Sequence, residues 1–464
     1  MSMFFNNKRS EPLARVDHAW LRMEHPTNLM MVTGIMIFDQ PLDFERLRAT
    51  FEHRLLRFER FRQRVVTAGD ESHWEADPNF TLSAHLRRIA LPAPHDQQAL
   101  QELVSDFMST PIDFSKSPWQ YHLIENYQGG CVLLGRLHHC LADGIALVRV
   151  LLSMTDETPD APLSPAPEAQ PRARQTSGPL ETVNTTVRSA EKLVADGIDS
   201  LLDPARMVES AKLGLGGAVA LSRLLLMSPD PHTAFKGPLG IAKRAAWSQP
   251  LPLDNVKAIG RAVGATVNDV LLAAATGALR RYLQGRGEQV DGLDIRAAVP
   301  VNLRPADEPL SLGNRFGLVF LTLPIGVDDP LDRLFDLKER MEAIKGSPEA
   351  LVTFGILGTM GMAPAQLQDL GVSIFGAKAT AVMTNVPGPR QTIYMAGAPI
   401  QEIMFWVPQS GRLGLGVSIM SYAGKVTLGV ATDVGLVPDP DQIIAGFHEE
   451  FELLRKLAAP TKDS

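Results

Sequence analysis

The sequence predicts a mixed α/β protein in which two lobes are joined by a linker. Helical spacing of apolar residues alternates with short apolar runs of strand length along the chain. The chain has 464 residues, of which 45% are hydrophobic, and this is enough to bury a large core. Residues 156–179 are rich in Pro, Ala, Ser, Glu and Arg, a composition that forms no compact core. We therefore predict an N-terminal lobe at residues 1–155, a linker with crossover helices at 156–235 and a C-terminal lobe at 236–464.

Capping residues and apolar spacing predict the elements of the N-terminal lobe in order. A helix over residues 15–24 ends before Pro26, and a strand follows at 29–39. Asp43 and Asp96 each stand where a helix N-cap belongs. The apolar faces of these two helices are Leu47, Phe51 and Leu55 in the first, and Leu100, Leu103 and Phe107 in the second. An alternating stretch over 81–91 predicts a further strand.

The C-terminal lobe repeats this style. Thr266 to Asp269 resembles a capping box that begins a helix running to about Tyr282. The later elements are strands at 293–301 and 316–325, a helix from Asp329-Pro330 to about Gly346, a hairpin around Ala423-Gly424, and a helix after Asp439-Pro440. The weakly charged stretch 213–227 either lies on a membrane or packs as a crossover helix.

Bulk properties exclude several classes of protein. The net charge of −7 argues against a nucleic-acid partner. The two cysteines, Cys131 and Cys140, are separated by a predicted strand that would hold their Cα atoms beyond the roughly 7 Å limit for a disulfide. The N-terminal residues lack the apolar core of a signal peptide, and no apolar run reaches about 20 residues. We expect a cytoplasmic protein that associates at most peripherally with a membrane.

The segment Leu137 to Gly144, with the sequence LHHCLADG, is the candidate site. An apolar run of strand length precedes it at 131–137, and a mostly apolar helix is predicted after it at 145–154. Asp143 is placed to cap this helix, and Gly144 leaves room for close backbone approach. The two histidines therefore lie on a turn whose backbone is fixed from both sides.

His139 is a candidate general base, because neutral imidazole takes a proton from a hydroxyl near pH 7 and returns it to a leaving group. No Gly-x-Ser-x-Gly elbow and no suitable cysteine accompany the motif, so direct attack by a bound substrate is favoured over a covalent enzyme intermediate. Asp143 supports His139 only if the turn folds back or the helix starts early. We favour the alternative, in which Asp143 caps the helix and holds the turn.

Two other interpretations compete for this histidine pair. A zinc site would need further ligands, but adjacent histidines point in different directions and no His-Glu-x-x-His or Cys-x-x-Cys accompanies them. We therefore predict no metal. The other alternative is a pair of ordinary core or turn histidines.

The sequence resembles the bacterial wax ester synthase/diacylglycerol acyltransferases, within the CoA-dependent acyltransferases that share His-x-x-x-Asp. The resemblance covers nearly the whole chain. Besides HHCLADG, it is carried by PIDFSKSPWQYHLIE (111–125), VNDVLLAAATGALRRYL (267–283), VPVNLRP (299–305), LGNRFG (312–317) and TNVPGPR (384–390). Where the family usually has Pro-Leu-Trp, this chain has Ser117-Pro118-Trp119.

The resemblance implies two chloramphenicol-acetyltransferase-like lobes with the active site at their interface. It implies transfer of a long-chain acyl group from acyl-CoA to a fatty alcohol or diacylglycerol, with no cofactor besides the acyl-CoA cosubstrate. His139 would be the base, His138 would assist its position, and Asp143 would hold the turn. The implied substrate-binding residues are Asn268, Asp269 and Gly144, although Asn268 on its own pattern would be ordinary helix-start chemistry.

The resemblance also implies contact with a lipid surface, the inner membrane or lipid inclusions, and it leaves a homo-oligomer open. Residues 351–377 carry a single charge and suit either a passage for an acyl chain or a plain core. Two other functions remain open at this level. One is a related condensing enzyme that uses a carrier-protein donor or an amine acceptor, and the other is a non-catalytic lipid-binding homologue.

Overall fold

The computed structural model describes residues 10–163, 222–304, 312–345, 349–362, 365–409 and 413–458. The helices are α1 (Arg15–Arg22), α2 (Phe44–Thr50), α3 (Gln97–Ser109), α4 (Gly144–Met154), α5 (Leu253–Val263), α6 (Val267–Gly285), α7 (Pro330–Ile344), α8 (Glu349–Met360), α9 (Ala365–Ala377) and α10 (Asp441–Leu457). The strands of the N-terminal half are β1 (Glu11–Pro12), β2 (Met31–Phe38), β3 (Gln63–Ala68), β4 (Glu71–Ala76), β5 (Leu86–Ala90), β6 (Trp119–Tyr127) and β7 (Gly130–His138). Those of the C-terminal half are β8 (Lys243–Trp247), β9 (Leu251–Pro252), β10 (Ile295–Asn302), β11 (Phe316–Leu323), β12 (Ala381–Pro387), β13 (Tyr394–Met395), β14 (Ala398–Pro399), β15 (Glu402–Trp406), β16 (Leu415–Tyr422) and β17 (Lys425–Asp433).

A five-stranded mixed sheet forms the N-terminal core, in the order β15-β2-β7-β6-β5. Every residue of β7 is buried, so its continuous apolar run reflects a central strand that is covered on both faces. Helix α4 leaves the end of β7 through the HHxxxDG turn. The HHxxxDG turn is thus anchored on the most buried strand of this sheet.

A second mixed sheet forms the C-terminal core, in the order β11-β10-β12-β16-β17-β8, with β9 paired to β17. Helix α6 lies within this core and is buried over most of its length. Its predicted capping box is confirmed, because the Thr266 hydroxyl accepts from the backbone N–H of Asp269 and the Asp269 carboxylate accepts from that of Thr266. These reciprocal bonds fix the start of α6.

Strand β15 crosses between the two halves of the chain. It belongs by sequence to the predicted C-terminal lobe, yet it pairs antiparallel with β2 at the edge of the N-terminal sheet. The two sheets therefore do not divide the chain at residue 236. The pairing of β15 with β2 joins residues far apart in sequence, and local apolar spacing does not reveal such contacts. Residues 164–221, which include most of the predicted linker and part of the crossover stretch, lie outside the described residues, so the predicted domain bounds stay a prediction.

Most predicted caps and helices are confirmed. The side chains of Asp43, Asp96, Asp143 and Asp329 accept backbone hydrogen bonds at the starts of α2, α3, α4 and α7. Two differences are local. The strand predicted over 81–91 begins as a short 3-10 turn at Leu82–Ala84 before β5, and α2 continues as a π-helical turn at Phe51–Leu55.

Residues 351–360 of the stretch 351–377 lie in α8, and residues 365–377 form α9. Within the described part of the chain, no single helix is both long and apolar enough to cross a bilayer. Helices α5 and α6 meet that criterion only as a pair, with a bend of 98° between them.

Candidate active site

The HHxxxDG turn joins β7 to α4 and is held by backbone hydrogen bonds. His138 is the last residue of β7 and Gly144 is the first of α4. The backbone N–H of His139 donates to the carbonyl of Met30 in the adjoining segment at 2.7 Å. Asp143 caps α4, because its Oδ1 accepts from the backbone N–H of Ala146 at 2.9 Å. The histidine backbone is therefore fixed from both sides, as predicted.

The His139 imidazole is buried between aromatic rings. It stacks on Trp20 with the ring centroids 4.2 Å apart, and Phe316 lies 5.6 Å away. Burial lowers the pKa of His139 to about 4, and the nearby charge of Asp143 opposes this only in part. The ring is consequently neutral near pH 7, which is the form that accepts a proton from a hydroxyl.

His138 has a different environment from its neighbour. It is fully buried, and its Nδ1 accepts from the backbone N–H of Cys140 at 3.1 Å. Its Nε2 lies 3.3 Å from a carboxylate oxygen of Glu24, and its ring meets Phe114 edge-on. Both ring nitrogens thus face protein atoms that hold the turn. This geometry fits the positioning role predicted for His138.

Asp143 forms a buried ion pair with Arg304, a residue to which the sequence analysis gave no role. The carboxylate oxygen that contacts the guanidinium also accepts from the backbone N–H of Arg315 at 2.9 Å. Together with the cap at Ala146, these contacts occupy both oxygens of Asp143. The favoured role of Asp143, holding the turn, therefore agrees with its contacts.

A cavity between the two halves of the chain, here called the central cavity, contains His139. Its walls include Trp20, His139 and Asp143 from the first half and Phe316 and Asn385 from the second. It encloses about 860 Å³ of space not occupied by atoms, part of it open to solvent. The C-terminal half of the chain contributes three polar side chains to its walls, those of Asn302, Thr384 and Asn385. The candidate base therefore faces a space that a substrate can enter.

The predicted substrate-binding residues fall in different places. Gly144 lines the central cavity, and a Cβ placed there would meet no atom within 4 Å. Asn268 does not line this cavity, but it accepts a hydrogen bond at 2.8 Å from the side-chain amide of Asn385, which does. Asp269 is buried and closes the capping box of α6. The structure gives Asp269 a helix-capping role through one of its carboxylate oxygens, and its contact with substrate stays a prediction.

Two apolar cavities adjoin the central cavity. The first, the α8/α9 cavity, is lined by Ile356 and Met360 of α8 and Phe375 of α9, and it shares Trp20 and Leu318 with the central cavity. The second, the α4 cavity, is lined by Leu147, Val148 and Leu151, and it shares Gly144, Val386 and Phe405 with the central cavity. Apolar walls therefore extend in two directions from His139.

The candidate site contains neither a metal cluster nor a reactive thiol among the residues that the structure describes. No group of three or more His, Cys, Asp or Glu side chains there could hold a metal ion. Cys131 and Cys140 are buried and unpaired with each other. Burial raises the pKa of both thiols, that of Cys131 to about 11. Near pH 7 both thiols are therefore protonated and weakly nucleophilic.

Sequence reasoning missed several residues that surround His139. Arg304, Asn314 and Asn385 lie within the motifs VPVNLRP, LGNRFG and TNVPGPR, which carried the resemblance without residue roles. Trp20 lies in the helix predicted over residues 15–24, and no local pattern relates it to a residue more than a hundred positions away. The motifs themselves were the available signal for the first three.

Comparisons with known proteins match the chain almost end to end. Residues 13–271 match the model of the wax ester synthase/diacylglycerol acyltransferase catalytic domain, and residues 312–455 match the C-terminal domain of the same family. A probable diacylglycerol O-acyltransferase of Mycobacterium tuberculosis is 28% identical over 435 residues, which cover 90% of each chain.

Two solved structures show the same fold. A wax ester synthase/diacylglycerol acyltransferase from Marinobacter aquaeolei VT8 is 23% identical, with a TM-score of 0.69 over 97% of this chain and 99% of that chain. The first condensation domain of the calcium-dependent antibiotic synthetase is 15% identical, with a TM-score of 0.62 over 98% of this chain and 97% of that chain.

Proposed function

Because the chain belongs to the wax ester synthase/diacylglycerol acyltransferase family and is an acyltransferase, we propose that it transfers a long-chain acyl group from acyl-CoA to a fatty alcohol or diacylglycerol. The predicted fold class is confirmed, since the two structural matches share its architecture of two chloramphenicol-acetyltransferase-like lobes. The single observation that supports the reaction most is a buried, neutral His139 in a cavity that shares wall residues with two apolar cavities. Two long chains can then approach one base from different sides.

The reaction needs one proton acceptor that later becomes a proton donor. His139 takes the hydroxyl proton of the acceptor while the hydroxyl oxygen attacks the thioester carbonyl carbon. The tetrahedral intermediate then collapses, the carbon–sulfur bond breaks, and the imidazolium returns the proton to the departing CoA thiolate. The ester and free CoA are the products, and no cofactor besides the acyl-CoA cosubstrate is required.

The walls of the central cavity supply few polar groups. We assign the amide of Asn385, oriented by Asn268, to the substrate or to the oxygen that becomes negative in the intermediate. Asp143 and Arg304 hold the turn on which the base lies. Trp20 and Phe316 keep water from the imidazole and so preserve its neutral form.

Narrowing either apolar cavity should change which chain length is preferred. Ile356→Phe places a larger side chain in the α8/α9 cavity and Val148→Phe places one in the α4 cavity, so each variant reduces the free space. We expect one variant to favour shorter acyl-CoAs and the other to favour shorter alcohols. Competition between acyl-CoAs and between alcohols of graded length measures this.

Leu103→Phe is the matched control, because Leu103 is partly buried on α3 and lines neither apolar cavity. It should leave both chain-length profiles unchanged. If Ile356→Phe and Val148→Phe also left both profiles unchanged while the enzymes remained active, the two cavities would not hold the chains.

We also propose that the protein contacts its lipid substrates at a surface, on the inner membrane or on lipid inclusions. Leu225 and Leu226, in the short helix 222–226, and Leu370 and Ile374 on α9 are exposed, and Leu226 retains 84% of its accessible area. The two elements are joined, because the Lys378 ammonium beyond α9 donates to the carbonyl of Leu225 at 3.1 Å. These exposed side chains lie beside the α8/α9 cavity, which includes Phe375.

Replacing Leu226 and Ile374 together with serine should weaken binding to vesicles, because exposed apolar side chains supply the contact. Flotation with neutral and with anionic vesicles measures binding, and we expect little dependence on anionic lipid. Leu457→Ser, at an exposed apolar residue at the end of α10, is the control that should bind normally. Binding seen only with anionic vesicles and lost in salt would instead identify a basic contact surface.

A further inference from the structure

The loop at residues 312–314 comes from the C-terminal half of the chain and clamps the HHxxxDG turn. The backbone N–H of Gly313 donates to the carbonyl of Leu141 at 3.1 Å, and its carbonyl accepts from the N–H of Asp143 at 3.4 Å. Gly313 has a φ of +96°, a conformation that favours glycine. The side chain of the next residue, Asn314, donates to the carbonyl of His139 at 2.7 Å.

Asp17 fixes the orientation of this asparagine. Its Oδ1 accepts from both the backbone N–H of Asn314 at 2.9 Å and the side-chain amide of Asn314 at 2.8 Å. The amide group thus faces two acceptors, the Asp17 carboxylate and the His139 carbonyl. Only the NH₂ side of an asparagine can do this, so its orientation is determined by the contacts.

Helix α1, which carries Asp17, also contacts the His139 ring through Trp20. Asp17 and Trp20 are three residues apart on α1, a spacing that places them on one face of the helix. Trp20 stacks on the His139 ring, while Asp17 reaches the His139 carbonyl through Asn314. Helix α1 therefore determines both the plane of the ring and the position of its backbone.

We propose that Asp17 is a positioning residue for His139 that acts through Asn314. The carboxylate touches neither the imidazole nor the space that substrate occupies, as it does not line the central cavity. Its function is to keep one amide aimed at the His139 carbonyl, so that the ring enters the cavity at a constant angle. This inference rests on the proposed role of His139 as the base.

Burying the carboxylate of Asp17 costs desolvation free energy, which an apolar side chain that only fills space would not require. Asp17 is almost fully buried, and burial raises its pKa to about 6, although the bonds from Asn314 lower it. The positive charge of Arg60 lowers this pKa as well, but burial has the largest effect. An apolar residue of the same shape would spare the desolvation of this charge. The observed carboxylate instead supplies an acceptor that leucine lacks.

The test compares Asp17→Asn with Asp17→Leu, two side chains of similar shape. Asparagine retains an oxygen that can accept from Asn314, whereas leucine does not. We expect Asp17→Asn to keep kcat near that of the unaltered enzyme. Asp17→Leu should lower kcat about tenfold to a hundredfold with little change in KM, because a displaced base slows chemistry without weakening substrate binding.

Two further variants separate positioning from general destabilisation. If Asp17 acts through Asn314, the double variant Asp17→Leu/Asn314→Ala should have the same kcat as Asn314→Ala alone. Asp230→Asn changes a buried carboxylate that bonds Arg296 and Thr380, and it should leave kcat unchanged whatever its effect on the melting temperature.

Normal kcat in folded Asp17→Leu, or losses that multiply in the double variant, would overturn the proposal. Equal losses of kcat in Asp17→Asn and Asp17→Leu would also overturn it, since the acceptor oxygen would then not matter. These outcomes differ from failure of the proposed function. That failure would appear as activity that survives removal of His139 itself.

Discussion

Replacing His139 with alanine is expected to lower the rate of acyl transfer by about 10²–10⁴-fold, the usual contribution of a general acid–base group. The fold should remain, because the backbone contacts of this residue to Met30 and Asn314 do not involve the ring. Thiol release from acyl-CoA in the presence of a fatty alcohol gives the rate, and circular dichroism and the melting temperature report the fold.

His138→Ala is the matched control on the neighbouring residue. Its ring accepts from Cys140 and faces Glu24, so its loss should lower the melting temperature and reduce activity less than His139→Ala does. Near-normal turnover in a folded His139→Ala variant would contradict the assignment of the base. A His138 variant that lost more activity than the His139 variant, with an unchanged melting temperature, would transfer the role to His138.

The pH dependence of the unaltered enzyme follows from the same burial. The pKa of His139 is lowered to about 4, so the neutral base is fully present near pH 7 and is lost only as the pH falls toward 4. We expect the His139-dependent part of kcat/KM to be flat through neutral pH.

Arg304→Leu is expected to destabilise the protein by about 3–5 kcal/mol, because it leaves the buried carboxylate of Asp143 without its cation. Activity should fall with stability, since Asp143 caps α4 and holds the turn that carries His139. Urea unfolding measures the change in the free energy of unfolding. The matched control is Lys257→Met, which removes a cation from an exposed ion pair with Asp254 and should cost at most about 1 kcal/mol.

Asp143→Asn examines the other partner of this pair. An amide NH₂ in place of one carboxylate oxygen would face the donors of Arg304 or the backbone N–H of Arg315. We expect both the activity and the melting temperature to decrease. An unchanged melting temperature with lost activity would assign Asp143 a direct electrostatic role in catalysis and contradict the scaffold role.

The parts of the site that the sequence predicts are local. The His139 turn, its cap at Asp143 and the capping box at Thr266 each depend on residues within a few positions, so their patterns are visible in the chain. Arg304 and Asn314 contact this turn across 161 and 175 residues, respectively. Nothing in local spacing relates such distant positions, and only the family motifs directed attention to them.

The apolar cavities show a second limit of the same kind. Residues 351–377 suited either a core or an acyl passage, and composition alone does not separate a packed interior from a lined cavity. In the structure, Ile356 and Phe375 line the α8/α9 cavity, while α9 also presents Leu370 to the surface. The pairing of β15 with β2 likewise depends on tertiary contacts. The cavity lining and this strand pairing are both determined by contacts between distant parts of the chain.

The most direct test of the account is release of CoA thiol by the purified protein, measured with a long-chain acyl-CoA in the presence and absence of a fatty alcohol or diacylglycerol. No metal or other cofactor is added. We predict acceptor-dependent release together with formation of the matching ester, and loss of both in His139→Ala. Absence of release with either acceptor from folded, unaltered protein, or ester formation that persists in His139→Ala, would contradict it.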